Sequence, residues 1–360
     1  MKNVTDLYER LEKETRPILI YGMGNGADKL LRILEAKNLT CADFFASDGF
    51  VRGHSFHGKR VLSYAEAKEK YGDFLTLVSF ATRQKDVLTR LYALADEGSL
   101  FLPDMPVSGD TLFDTAFASA HREELMRARA LFEDEVSRKL FDAIVWYKIT
   151  GDIRYLRSQH SETDALYALL PCDNVECCMD LGAYRGDTLA EMARYFPHMK
   201  HAVALEPDRK NHARLLRFAE NETRFTVSAV CAAAYGCEGS AVFHTSGNRN
   251  ASLDGASYKH TDEGVPLMPP DKAAEGHRID YIKYDVEGAE REALLGSSRI
   301  LAEDRPSVLL SVYHRSEDLY ELPLLLHTLC KNYRFYLRRT ECLPAWETAL
   351  IAVPLEAHTN

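Results

Sequence analysis

The stretch Cys177–Tyr195, CCMDLGAYRGDTLAEMARY, decides the fold. An apolar run ends in an acid, Asp180, then passes through Gly182, Ala183, Tyr184 and Gly186 into a helical pattern opening at Asp187 and Thr188. Strand, tight glycine turn and helix in that order leave the free N–H groups of the helix facing a ligand. Glu206 closes the next apolar run, HAVALEP, at about the distance where an acid holds a ribose.

The rest of the segment from residue 171 to 360 extends this pattern. Helix DRKNHARLLRFAE and strand FTVSAV follow, then a long polar stretch with Gly247, Asn248, Asn250 and Ser252. RIDYIKYDVEGAEREALLG reads as strand, acidic turn and helix, PSVLLSVYH as a further strand, and YRFYLRR and ALIAVP as a closing pair joined by a loop carrying Trp346. Alternating strands and helices predict a mostly parallel, helix-covered sheet.

The same signs appear earlier. PILIY (Pro17–Tyr21) runs into Gly22, Gly24, Gly26 and Ala27, a G-x-G-x-x-A turn, before the helix ADKLLRILEAK. The run Cys41–Ala46 leads to Asp48 at ribose-contacting distance, and FLTLVSFAT is another strand. Residues 1–109 are therefore expected to form a smaller Rossmann-like α/β domain with a nucleotide-like ligand at Gly22 and Gly24. Between the two α/β segments, 110–170 reads as a helical connector, its apolar stripe running through Leu125, Ala128, Leu131, Val136, Leu140, Ile144 and Tyr147.

Composition narrows the function classes. The chain has 360 residues, enough for two cores, and a formal net charge of -10, which argues against a broad nucleic-acid-binding face. Its eight cysteines form no C-x-x-C pair, so no zinc or redox motif is called for. The charged amphipathic N-terminus is unlike a signal peptide, and no run reaches bilayer-spanning length, so the expectation is a cytoplasmic protein without a membrane span.

The acid before the turn separates two ligand classes. Asp180 would repel a diphosphate, whereas it can hold a cationic amino-acid group directly or through water, and Gly182 lets the backbone approach a compact ligand. Those demands fit S-adenosylmethionine, with Glu206 accepting both ribose hydroxyls. In IKYDVEGAE, alternation places Lys283 and Asp285 on one face, Asp285 ending the fourth strand on the ligand rim, where Lys283 could keep it ionised. Glu287 and Glu290 follow, and helix capping accounts for them as well as a site role does. His314 ends LLSVYH on the same rim, where a histidine can take a proton from a hydroxyl near neutral pH.

Together DLGAYRGDT, ALEPD, IDYIKYDVEGAEREALLGS, RPSVLLSVYHRSEDLYELPLLL, YRFYLRR and ETALIAV resemble the FkbM family of S-adenosylmethionine-dependent methyltransferases. The lead-in EVSRKLFDAIVWYKITGDIRYL is similar to that of longer members. The resemblance implies a class I methyltransferase fold, a seven-stranded sheet whose last strand is antiparallel, and methyl transfer to a hydroxyl of a sugar, glycan or small natural product. It implies donor contacts at Asp180, Gly182, Ala183, Tyr184, Gly186, Asp187, Thr188, Glu206, Pro207 and Asp285. The family's acid after the third strand falls at Gly236 here, leaving Tyr235 as a stacking substitute against adenine. His314 is the expected base, with Asp285 orienting it or the acceptor, and no metal is required. A homodimer is the expected assembly. Two alternatives stay open: a nicotinamide-dependent sugar oxidoreductase or epimerase on Gly22, Gly24 and Ala27, and a regulatory protein that binds a nucleotide sugar.

Overall fold

The computed structural model describes residues 4–47, 51, 53–242 and 264–355. Asp48 and the polar positions Gly247, Asn248, Asn250 and Ser252 lie outside the described residues.

The N-terminal sheet has four parallel strands, β1 (Ile18–Tyr21), β2 (Asp43–Phe45), β3 (Leu75–Val78) and β4 (Leu100–Phe101), in the order β2-β1-β3-β4. The last strand has two residues, too short to carry a period, and the sequence pattern does not disclose it. At the end of β1, a Cβ on Gly22 would lie 2.6 Å from the Ser79 hydroxyl, and one on Gly26 would lie 1.9 Å from the Ser79 carbonyl. These two glycines are thus required by packing against the end of β3. Only Gly24, at φ +132° with open space around it, is free of that constraint.

The expected connector is helical, with helices Thr115–Ala120, Arg122–Ala130 and Glu135–Thr150. Its stripe is buried at Leu125, Ala128, Leu140, Ile144 and Tyr147, but Val136 is exposed because it falls in the first turn of its helix, off the packed face.

The larger sheet contains β5 (Cys177–Leu181), β6 (His201–Leu205), β7 (Thr226–Val230), β8 (Tyr281–Tyr284), β9 (Ser307–Ser311), β10 (Tyr333–Arg339) and β11 (Thr348–Pro354). Their order is β10-β11-β9-β8-β5-β6-β7, with β11 antiparallel to both neighbours and the other pairings parallel. All five residues of β5 are buried, as expected of a central strand covered on both faces. Chain order reverses between β5 and β8, and open α/β sheets bind ligands outside the carboxyl ends at such a switch point.

Register sets the chemistry there. Lys283 pairs across from Asp180 and Tyr284 from Leu181, so Asp285 emerges beside Gly182; Leu181 also pairs with Leu205, which puts Glu206 on the other flank of the same turn. One apolar cluster spans both sheets, running from Leu19, Tyr21 and Phe45 through Leu140, Ile144 and Tyr147 to Leu310 and Leu337.

Candidate functional site

Gly182 stands at φ +89°, and a Cβ there would lie 1.9 Å from the Asp285 carbonyl oxygen. Only glycine lets the turn after β5 press this closely on the end of β8. The N–H groups of Gly182 and Ala183 both donate to the Leu205 carbonyl at 3.0 Å. Gly186, at φ +89°, starts the helix Asp187–Tyr195 and makes room for the Phe218 ring. The Glu206 carboxylate locks the turn, with Oε2 accepting from the Tyr184 N–H and Oε1 from the Asp208 N–H, both at 2.8 Å. Each oxygen keeps a further lone pair. Burial pushes the Glu206 carboxyl up to about 7 against the opposing pull of those two N–H groups.

Gly182, Tyr184, Asp187, Thr188, Glu206, Pro207 and Asp285 line one cavity of about 750 Å³. Asp180, Ala183, Gly186 and Tyr235 do not line it, and neither does His314. Asp180 is fully buried beneath the turn, and neither of its carboxylate oxygens has a hydrogen-bond partner among the described residues. Lys283 Nζ lies 3.6 Å from it, and burial outweighs that attraction to raise its pKa to about 6. Where Tyr235 was expected, Ala233 and Ala234 of a short strand after β7 form the wall, while the Tyr235 N–H continues that pairing by donating to the Met268 carbonyl.

Asp285 sits among donors: Lys283 Nζ at 3.1 Å on Oδ2, and the hydroxyls of Ser311 at 2.9 Å and Tyr313 at 3.4 Å on Oδ1. Burial opposes ionisation, yet Lys283, His314 and Ser311 hold this carboxyl below the ordinary range. Its neighbour Glu287 lines the cavity at φ +55°, an uncommon conformation for a residue with a side chain. Burial raises Glu287 to about 8, with the nearby Asp285 and Glu290 charges adding to it and His314 opposing.

His314 takes a different place from the one its strand-end position suggests. Its imidazole is enclosed, with Nδ1 2.9 Å from Glu290 and Nε2 3.6 Å from both Asp285 and Glu287. Burial pulls its pKa down, but the three carboxylates override this and hold it at about 10. These carboxylates favour the protonated imidazole, which has no lone pair with which to take a proton, and the ring stands off the cavity that its strand-end position suggests. Glu290 is more than a helix cap: it is fully buried, accepts from the Val286 N–H at 2.8 Å and the Gly288 N–H at 2.9 Å, and faces the imidazole. Ligand atoms of Asp285, Glu290 and His314 lie within 4.8 Å of one another, a spacing that a divalent cation can bridge.

The opposite wall comes from residues absent from the sequence-derived set: Ala81, Thr82, Arg83 and Gln84 after β3, Val107, and Cys342, Trp346 and Glu347 before β11. The strand pattern FLTLVSFAT ends at Thr82, so the rule that ligands gather at carboxyl ends of parallel strands already marks this segment. What the sequence leaves open is that the N-terminal sheet faces the same cavity.

Residues 180–337 match the model of the methyltransferase FkbM domain family. The structure is similar to that of the methyltransferase FkbM from Methylobacillus flagellatus KT, with TM-score 0.71 and 18% identity, covering 96% of this chain and 92% of that one. A fibrillarin from Aeropyrum pernix, solved in complex with natively bound S-adenosyl-L-methionine, aligns more loosely, with TM-score 0.35 and 13% identity over 53% of this chain and 74% of that one. No curated protein matches the chain significantly.

Proposed function

We propose that this chain, whose residues 180–337 match the model of the methyltransferase FkbM domain, is an S-adenosylmethionine-dependent O-methyltransferase acting on a hydroxyl of a sugar, glycan or small natural product. The observation that carries this reading is Glu206. Its carboxylate stands on the cavity wall beside the glycine turn, with Asp180 behind it and Asp187 and Glu191 on the same rim. Such a turn repels a dinucleotide's pyrophosphate but accepts ribose hydroxyls and a cationic amino acid. Glu206 would hold the ribose, Asp180 would face the ammonium through the turn, and Ala233 and Ala234 would border the adenine.

S-adenosylmethionine, when bound, supplies a methyl group already activated on a sulfonium. The hydroxyl that accepts it would have to give up its proton to a group of this chain. Glu287 is the base we assign: it lines the cavity, and a carboxyl raised to about 8 is matched to proton transfer near neutral pH. Asp285 orients the acceptor, held in place by Lys283, Ser311 and Tyr313. With Lys283 and His314 set among these carboxylates, transfer should persist in excess chelator.

Calorimetric titration tests the reading directly. S-adenosylmethionine should bind saturably and NAD should not; NAD binding without S-adenosylmethionine binding would overturn it in favour of the oxidoreductase.

A further inference from the structure

The cavity has two sides of different origin. Its donor side, from Gly182 to Glu206 and from Lys283 to Glu287, lies inside the span that matches the family model, whereas its other side is built by residues 81–84 and 342–347, both outside that span. These two segments form one unit. The Thr82 N–H donates to the Leu343 carbonyl at 2.8 Å and the Leu343 N–H donates back to Thr82 at 3.0 Å, a bridge between the N-terminal sheet and the loop before β11. Arg83, next to Thr82, pairs its guanidinium with the carboxylate of Glu347, four residues beyond Leu343.

Two further features turn this unit toward the reacting centre. Glu347 is held at φ +60°, and the cavity also has Tyr184 at φ +50° and Glu287 at φ +55° on its wall. Non-glycine residues in the left-handed region cost of order 1–3 kcal/mol each and persist where the surroundings over-determine them, characteristically at ligand sites. The Glu347 charge also reaches the centre: burial is the main force raising Glu287 and Tyr313, and Glu347 adds to it in both. Beside Glu347, the half-buried Trp346 contributes its indole to the same wall.

We propose, resting on the methyltransferase reading above, that Arg83, Trp346 and Glu347 form the acceptor subsite and that the acceptor is a polyhydroxylated ring, seated with one face on Trp346 and its hydroxyls on the Arg83–Glu347 pair. An arginine beside a glutamate presents donors and acceptors next to each other, matching the dual character of neighbouring hydroxyls. The indole offers an apolar face to the C–H side of a sugar ring. A purely apolar acceptor would desolvate the ion pair without replacing its hydrogen bonds. A phosphorylated one would meet Glu347, Glu287 and Asp285. The N-terminal unit thus acts as the acceptor wall of the methyltransferase.

The chain has two tryptophans, so Trp146→Phe leaves Trp346 as the only indole reporter. The full-length W146F protein, saturated with S-adenosylhomocysteine, is titrated with methyl α-D-glucopyranoside, methyl α-D-mannopyranoside and methyl α-L-rhamnopyranoside, and separately with catechol, following Trp emission. At least one glycoside should give a saturable change, weakened tenfold or more by Arg83→Ala with S-adenosylhomocysteine affinity unaltered. Glu347→Gln, which preserves shape, should weaken it as well and carries the test if Arg83→Ala loses the fold. The subsite is wrong if no glycoside saturates, if only catechol does, or if the well-folded variants bind the glycoside like the parent. Loss of S-adenosylhomocysteine binding by the parent would instead sink the methyltransferase reading and leave the subsite to be judged by the glycosides alone.

Discussion

Glu206 shows how one carboxylate serves both fold and ligand. Its two oxygens tie down the turn through Tyr184 and Asp208, and their remaining lone pairs face the cavity. Burial raises its pKa to about 7, so the carboxylate that accepts two hydroxyls is the minority form at pH 6 and the majority at pH 8. For a raised acid the sign follows: ligand affinity increases with pH across that window, by roughly tenfold if only the ionised form is competent. Calorimetry with S-adenosylhomocysteine at pH 6, 7 and 8 checks this. Glu206→Gln should weaken binding about 10- to 100-fold through lost charge-assisted hydrogen bonds, and should flatten the pH dependence to the smaller contribution of Asp180. The acid at this position was legible in HAVALEP, because a strand end needs no tertiary information to be recognised. Its protonation was not, since burial is a property of the assembled site.

At the scale of elements, the turn between β5 and its helix depends on the end of a strand a hundred residues later. The Asp285 carbonyl occupies the space that a side chain at position 182 would need. Gly182→Ala should therefore cost about 2–5 kcal/mol, combining left-handed strain with overpacking against backbone, and should abolish S-adenosylmethionine binding even at temperatures where the chain stays folded. Thermal unfolding and calorimetry on the same preparation check both parts; a variant with wild-type midpoint and affinity would remove the close approach from the account. Strands β5, β6, β8 and β9 were readable as apolar runs because parallel strands are buried on both faces. Strand β4 was not, since its two residues are defined by pairing with β3 rather than by any period of their own. The strand-end position of His314 is visible in LLSVYH, whereas Glu290 and Glu287 reach it only through the turn that follows β8.

Across the whole molecule, the N-terminal unit is fastened to the connector by a buried ion pair. Lys148 Nζ lies 2.7 Å from Asp104 Oδ2, and both side chains are about 95% enclosed. Removing one partner strands a charge in the interior, so Lys148→Met should destabilise by about 3–5 kcal/mol, while adding Asp104→Leu to it should recover part of that loss. A double-mutant cycle by urea denaturation measures the coupling; additive losses would mean that the pair does not fasten the units. The same variants should lower acceptor binding through the shared wall at Thr82–Gln84 without requiring any change at Glu206. Among the described residues no helix is long and apolar enough to cross a membrane.

The chain's own order of residues determines the strand–turn–helix units, the strand ends at which Asp180, Glu206, Asp285 and His314 occur, and the FkbM resemblance. The units and strand ends follow from local period and spacing, and the resemblance rests on the motifs as they stand in the sequence. Tertiary structure alone decides which of those residues meet the cavity. The register of β5, β6 and β8 places Glu206 and Asp285 on its wall and Asp180 beneath it. The packing of His314 among three carboxylates encloses it away from the cavity. The bridge between Thr82 and Leu343 brings the N-terminal sheet to the same site. Contacts between segments tens to hundreds of residues apart depend on register and burial, and neither has a periodic signature in the chain.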